Sequence, residues 1–277
     1  MYWCASLYFS LIFISTSSLF AIMPVIIYKP ERKVIVDGIS RVVSKHEQWY
    51  CRDEKKDFQC NAGIIKKEFL KPGKIKVGNN EFVIIPAGFL DNYKRIRRDA
   101  QIITRKDIGF LIGFCGLGKD SIILESGGGS GSATILFAHI CKKIYSVEID
   151  KENLEVVREN LAHMNIKNAV TKLGNIYDPK SVPVKNADFM LLDVPEPWQA
   201  IPSAKKALKL GGYLVAYTPS VIQAQKFLQE LSLTQDFLVE RTTEIIDRDW
   251  KIKGDAVRPV TADIGHTAFL TIVRRIL

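Results

Sequence analysis

Residues 121–132 read Ser121-Ile122-Ile123-Leu124-Glu125-Ser126-Gly127-Gly128-Gly129-Ser130-Gly131-Ser132, a short apolar run that breaks into a glycine-rich turn. Glycine allows a tight turn and a close backbone approach by a ligand, and a helix that follows such a turn presents free N–H groups. Taken alone, the turn is a weak signal, and a plain strand-to-helix connection is the alternative. Glu148 adds weight: it lies 17 residues after Gly131, at the end of the next apolar run, Tyr145-Ser146-Val147-Glu148. A carboxylate there can accept both ribose hydroxyls of an adenosine.

That pairing fits a nicotinamide dinucleotide or S-adenosylmethionine. Two features favour the second. The spacing is G-x-G-x-G preceded by Glu125, an acid well placed near the amino end of a sulfonium amino acid. The third strand also ends in Gly174-Asn175-Ile176, where the Asn175 side chain can bond an adenine edge or serve as an ordinary turn residue.

Outward from the turn, strands alternate with helices. Helix-like Ala133 to Cys141 leads to strand Ile144–Val147, helix Asn153–Met164 and strand Ala169–Leu173. Strand Ala187–Leu192, helix Ala200–Leu210, strand Tyr213–Tyr217 and helix Val221–Leu231 follow. This rhythm predicts a mostly parallel, doubly wound α/β sheet of Rossmann type. The runs Phe237–Ile246 and Thr267–Ile272 would close it as an antiparallel pair. Upstream, residues 23–90 carry short β-type runs separated by polar turns such as Gly78-Asn79-Asn80, which predicts a small N-terminal β domain. A basic connector, residues 91–107, holds Lys94, Arg95, Arg97, Arg98, Arg105 and Lys106 and leads into the large domain, residues 108–277.

The fourth strand runs into Asp193-Val194-Pro195-Glu196-Pro197-Trp198, at the strand ends where ligands of open α/β sheets gather. Asp193 can accept a hydrogen bond from the amino group of adenine, and its charge stabilises the cation formed when a ring nitrogen takes a methyl group. Turn capping is the alternative for Asp193. Trp198 can stack on the base or fill the core. N1 of adenine carries a free lone pair, so no strong general base is needed. Arg258-Pro259 and Gly265-His266-Thr267 precede the last strand. His266 either contacts substrate or sits satisfied beneath a loop.

Composition fits this reading. The 277 residues are 47% hydrophobic, enough for a buried core, and 39 basic against 30 acidic residues give a net charge of +9, which suits a polyanionic partner. Five scattered cysteines include no C-x-x-C pair and no histidine at ligand spacing, so no metal site is expected and reduced cytoplasmic thiols are the simplest reading. Cys51 and Cys60 share one polar segment and are the pair an oxidising setting would join.

Residues 1–28 carry no charge and approach the length of a membrane span, with the first cations, Lys29, Arg32 and Lys33, after them. A start at Met23 is the simpler account. It makes residues 1–22 an untranslated apolar extension and removes the case for membrane association.

With these residues assembled, the chain resembles the tRNA (adenine-N1)-methyltransferases that act on T-loop adenine 58 and, in archaeal members, also 57. The likeness runs from about Gly63 to Arg275. It is carried by Gln101-Ile102-Ile103 with Lys106-Asp107, by Leu124 to Gly131, Ser146-Val147-Glu148 and Leu192 to Trp198, and by Val215 to Pro219 and Gly265 to Leu270. The glycine turn is common to class I methyltransferases; the Asp193 and Gly265 segments are more specific.

The resemblance implies S-adenosylmethionine held by Gln101, Glu125, Gly127, Gly128, Gly129, Ser130, Gly131, Ser132, Glu148, Asn153, Asn175 and Asp193. It makes Asp193 the catalytic carboxylate, while Trp198, Arg258 and His266 are the candidate substrate contacts read from the motifs themselves. It further implies a flipped-out tRNA adenine, a homotetramer and a cytoplasmic setting. Thr104 and Arg105 stand where many members have an aromatic or histidine and a proline, Asn175 replaces the usual third-strand acid, and residues 1–22 match nothing in the family. Three rivals stay open: a methyltransferase of the same fold acting on a protein or small molecule, a non-catalytic RNA-binding subunit, and a nicotinamide-dependent dehydrogenase.

Overall fold

The computed structural model describes residues 23–277 apart from 254, 255 and 262–264. The apolar segment 1–22, and with it the choice of start, lies outside the described residues. The described chain up to Asn92 forms one unit and Tyr93–Leu277 a second.

The first unit is built from β1 (Val25–Lys29), β2 (Arg32–Val36), β3 (Ile39–Ser44), β4 (Glu47–Cys51), β5 (Phe58–Cys60), β6 (Gly63–Ile65), β7 (Gly73–Val77) and β8 (Asn80–Pro86). An antiparallel sheet in the order β4-β1-β8-β7 packs Val25, Ile27, Phe82 and Ile84 against Ile65 and Leu70. The β2–β3 hairpin turns at Asp37 (φ 52°) and Gly38 (φ 75°), the left-handed pair that a two-residue hairpin turn requires. Cys51 and Cys60 are free thiols that donate to the carbonyls of Asp53 and Gly63.

Helix α1 (Phe89–Tyr93) follows β8. The second unit continues through α2 (Arg105–Phe114), β9 (Ile122–Ser126), α3 (Ser132–Ala138), β10 (Lys143–Glu148), α4 (Lys151–His163), β11 (Ala169–Leu173) and β12 (Ala187–Leu192). After these come α5 (Ile201–Ala207), β13 (Leu208–Thr218), α6 (Val221–Ser232), β14 (Phe237–Thr243), the hairpin β15 (Trp250–Lys253) and β16 (Ala256–Pro259), and β17 (Phe269–Arg275). The seven-stranded sheet has the order β11-β10-β9-β12-β13-β17-β14. It is parallel through β13, and β17 runs antiparallel between β13 and β14.

The parallel strands are apolar on both faces because helices cover both. On β12, Phe189 and Leu191 enter one core with Ile108, Leu111 and Phe137, while Met190 and Leu192 enter the other with Ala204 and Phe227. Chain order reverses at β9, whose neighbours are β10 and β12. The strand ends there form the crevice in which doubly wound sheets bind ligands.

Several boundaries depart from expectation: the helix predicted to Cys141 stops at Ala138, the strand predicted to Ile246 stops at Thr243, and the helix predicted to Leu210 stops at Ala207. Leu208 already pairs with Ala187, and the register then shifts before Phe189 meets Tyr213. Gly211, at φ 77°, and Gly212 shape this bulge rather than ending a helix. Segment 93–100 packs within the second unit, where the Asn160 side chain accepts from the Arg97 N–H and donates to the Arg97 carbonyl, both at 2.8 Å. Among the described residues, no helix is long and apolar enough to cross a membrane.

Candidate active site

The glycine turn leaves β9 with Gly127, Gly129 and Gly131 all in left-handed backbone (φ 88°, 51° and 72°). Contact sharpens the requirement at two positions. A Cβ on Gly127 would lie 1.9 Å from the Asp193 carbonyl oxygen, and one on Gly128 would lie 2.8 Å from Ser146 Oγ. The Asp193 N–H in turn donates to the Ser126 carbonyl at 2.9 Å. The turn and the residue that ends β12 are therefore backbone neighbours.

Three carboxylates gather at this point. Glu148, buried at the end of β10, accepts the Gly129 N–H on Oε2 and the Asp150 N–H on Oε1, each at 2.9 Å, so two backbone donors fix its orientation. Glu125, also buried, accepts from the Thr134 hydroxyl. Burial pushes the Glu125 carboxyl up to about 8; the Thr134 bond opposes this and the charge of Asp193 adds to it. Burial first, then the charge of Glu148, raises Asp193 to about 7.

The cleft beside them is lined by Gln101, Ile102, Ile103, Glu125, Gly127, Gly128, Ser130, Ser132, Ala133 and Asp193, with no lysine or arginine. Acids whose ionised forms are disfavoured chiefly by burial, with no lysine or arginine among the described lining residues, make a site that favours a cationic ligand. The sulfonium and ammonium groups of S-adenosylmethionine fit it. The pyrophosphate of a dinucleotide would add negative charge to an acidic cleft. The roof comes from the segment before α2, because Ser130 Oγ accepts the N–H groups of Asp99 and Ala100 at 3.2 Å and so brings Gln101 to the cleft.

Other predicted residues stand outside this cleft lining. The Asn153 N–H meets the Asp150 side chain in the N-cap of α4. Asn175 Oδ1 accepts the Tyr177 N–H in a tight turn, the arrangement of a turn residue. Trp198 packs against the core that holds Phe227, with the Lys226 ammonium 4.2 Å from its ring centroid. Arg258 is exposed on the β15–β16 hairpin, opposite Lys251. Both nitrogens of His266 are engaged, by Glu244 Oε2 at 2.7 Å and the Pro219 carbonyl at 3.0 Å, and its ring rests against Phe269.

Two features around the site escape a reading of the sequence. Tyr177 accepts the Glu196 N–H at 3.1 Å. The buried Asp107 carboxylate joins Thr104, Lys106, Tyr217 and Thr267. An acid set among Ile108 and Leu111 on an apolar helix face was the one local sign of the latter.

The sequence profile of the tRNA methyltransferase complex GCD14 subunit matches residues 93–265. The chain belongs to that family. The tRNA (adenine(57)-N(1)/adenine(58)-N(1))-methyltransferase TrmI of Methanocaldococcus jannaschii is 27% identical over 87% of this chain and 94% of its own length. The tRNA (adenine(58)-N(1))-methyltransferase TrmI of Thermus thermophilus is 29% identical over 65% of this chain and 71% of its own. Among solved structures, a SAM-dependent O-methyltransferase from Thermotoga maritima overlays with a TM-score of 0.75 at 22% identity, covering 92% of this chain and 93% of that one. The tRNA (m1A58) methyltransferase TrmI from Aquifex aeolicus overlays with a TM-score of 0.70, also at 22%, covering 92% and 97%. At such identities the overlays show the fold, a class I methyltransferase sheet with an antiparallel closing pair.

Proposed function

We propose that this GCD14-family chain transfers a methyl group from S-adenosylmethionine to N1 of adenine in the T-loop of tRNA, at position 58, or at 57 and 58 as the name of the Methanocaldococcus relative states for that enzyme. The observation that carries the reading is the contact of Asp193 with the glycine turn, in a cleft lined by acids and free of lysine and arginine.

Bound there, the cofactor supplies an electrophilic methyl group on a positively charged sulfur. Gln101, Glu125, Gly127 to Ser132, Glu148, Asn153 and Asn175 would hold it. Asp193 would accept a hydrogen bond from the exocyclic amino group of the target base, which aims N1, and its charge would stabilise the ring cation formed when N1 takes the methyl group, the S–C bond breaks and a neutral thioether leaves. The target adenine reaches the cleft only when extruded from the tRNA fold. Trp198, Arg258 and His266 are assigned to the substrate side, with His266 acting through its hold on Glu244 and Pro219. The exposed cations of segment 94–105 and the net charge of +9 attract the phosphate backbone.

A homotetramer in the cytoplasm completes the reading. Exposed apolar side chains on the β2–β3 hairpin (Ile35, Val42, Val43) and the β15–β16 hairpin (Trp250, Ile252, Val257) support packing between copies. Mapping N1-methyladenosine on unmodified tRNA incubated with protein and S-adenosylmethionine tests the activity. Modified adenine is expected at 58, alone or with 57. Protein that binds the cofactor yet leaves every tRNA adenine unmodified refutes it.

A further inference from the structure

The first unit carries an open groove of about 640 Å³ between the β1–β2 connection and the β7–β8 turn. Lys29, Arg32, Lys33 and Lys76 line it against Glu31 and Glu81. Part of that positive charge is already matched. Lys29 faces Glu47 across the β1–β4 register and lies 3.1 Å from it, and Lys33 lies 2.9 Å from Glu31. Arg32 and Lys76 are exposed and form no ion pair within 4 Å among the described residues, although Glu81 stands opposite Lys76 in the β7–β8 register. The amide of Asn79 sits on the β7–β8 turn beside them.

No residue lining the groove is buried, and all the described lining residues except Pro30 are of polar or charged type. It therefore lacks the apolar walls that hold a small organic ligand. It suits a partner that stays hydrated and offers several spaced negative charges, which describes a nucleic-acid backbone. Guarding the sheet edge accounts for part of the pattern, since β7 is an edge strand and Lys74 and Lys76 alternate with the inward Ile75 and Val77. It does not account for Arg32 and Lys33, which belong to a separate hairpin.

We propose that this groove is an RNA-contact site of the first unit, which holds a stretch of tRNA phosphate backbone through Arg32, Lys76 and Asn79. The proposal rests on the tRNA reading above and adds a place on the first unit where affinity is generated.

The test measures binding of a labelled, unmodified tRNA transcript to the full-length protein across a salt series. The Arg32→Gln/Lys76→Gln double variant is expected to weaken binding about tenfold at low salt and to make the slope of log K against log salt shallower by about 2, one for each lost phosphate contact. Glu81→Gln is expected to move the other way and tighten binding, which separates an electrostatic role from damage to the fold. Calorimetric affinity for S-adenosylmethionine should be equal in all three proteins. Wild-type affinity and slope in both variants, while the wild-type protein binds and methylates tRNA, overturns the groove and leaves the tRNA reading standing. A wild-type protein that neither binds nor methylates tRNA overturns both.

Discussion

The phenolic oxygen of Tyr177 accepts the backbone N–H of Glu196 at 3.1 Å, joining the loop after β11 to the loop that carries Asp193. From the other side, Gln223 Nε2 donates to the Pro195 carbonyl at 2.9 Å and Lys226 covers the Trp198 ring. The Asp193–Trp198 loop is thus clamped between the loop after β11 and helix α6. Tyr177→Phe removes one clamp and leaves the packing in place. A neutral hydrogen bond contributes about 1 kcal/mol, so kcat should fall roughly threefold to tenfold while calorimetric affinity for S-adenosylmethionine changes less. Unaltered kcat would mean that α6 holds the loop unaided.

The proposed reaction needs Asp193 as an anion, yet burial and Glu148 bring its carboxyl up to about 7. The ionised form is the stronger acceptor and alone carries the charge that stabilises the cationic product, so kcat/KM should rise with pH through about 7 and level off above it. Asp193→Asn keeps the shape without the charge. It should lose about a hundredfold or more in kcat, as for other lost electrostatic groups, with cofactor affinity within a few-fold of wild type. Whatever rate remains should lack the rise near 7.

Much of the sheet was legible because its parallel strands are short apolar runs between polar turns. Ala169–Leu173 and Ala187–Leu192 have the predicted limits for that reason. The end of α5 was not legible, because a glycine pair that shapes a bulge looks in sequence like one that ends a helix. The site divides in the same way. Glu125, Glu148 and Asp193 are brought together because each ends, or follows, a strand next to the switch point, so local spacing locates them. Asp107 and Thr267 meet across 160 positions of sequence, and Ser130 reaches back 30 to hold Ala100. No periodicity connects residues that far apart, and the isolated Asn175 gave no sign of whether turn or ligand would claim its side chain.

Glu125 links pH to stability. Its carboxyl lies near 8 in the folded protein, far above the ordinary carboxylate range that applies once the chain unfolds. Between those values the folded state holds a proton that the unfolded state has released, so stability is fullest below the ordinary range and is lost as pH rises through about 8. Glu125→Gln cannot ionise and escapes that loss. A displacement of one pH unit corresponds to about 1.4 kcal/mol, and each kcal/mol moves the melting point of a domain this size by about 2–4 °C. The ligand-free variant should therefore gain several degrees over wild type at pH 9 relative to their difference at pH 5. Equal differences at the two pH values would show that Glu125 is readily ionised in the fold.

Asp107 is fully buried and takes hydrogen bonds from Thr104 at 2.8 Å, Thr267 at 2.9 Å, Tyr217 at 3.2 Å and the Lys106 ammonium at 2.8 Å. Lys106 also donates to the Ile245 carbonyl and to Thr267, so one ion pair fastens the start of α2 to the ends of β13, β14 and β17. Removing one member of such a pair costs more than removing both, because the survivor keeps its charge and loses its counterion. Asp107→Ala should lose about 3–5 kcal/mol in urea unfolding, the range for a broken buried pair. The Lys106→Met/Asp107→Leu double variant should lose less than that single change, a coupling of the sign that double-mutant cycles find for contacting charges. Strict additivity of the two single changes would mean that the carbonyl of Ile245 and the hydroxyl of Thr267 satisfy Lys106 without Asp107, and that the hydroxyl bonds of Asp107 alone hold these segments together.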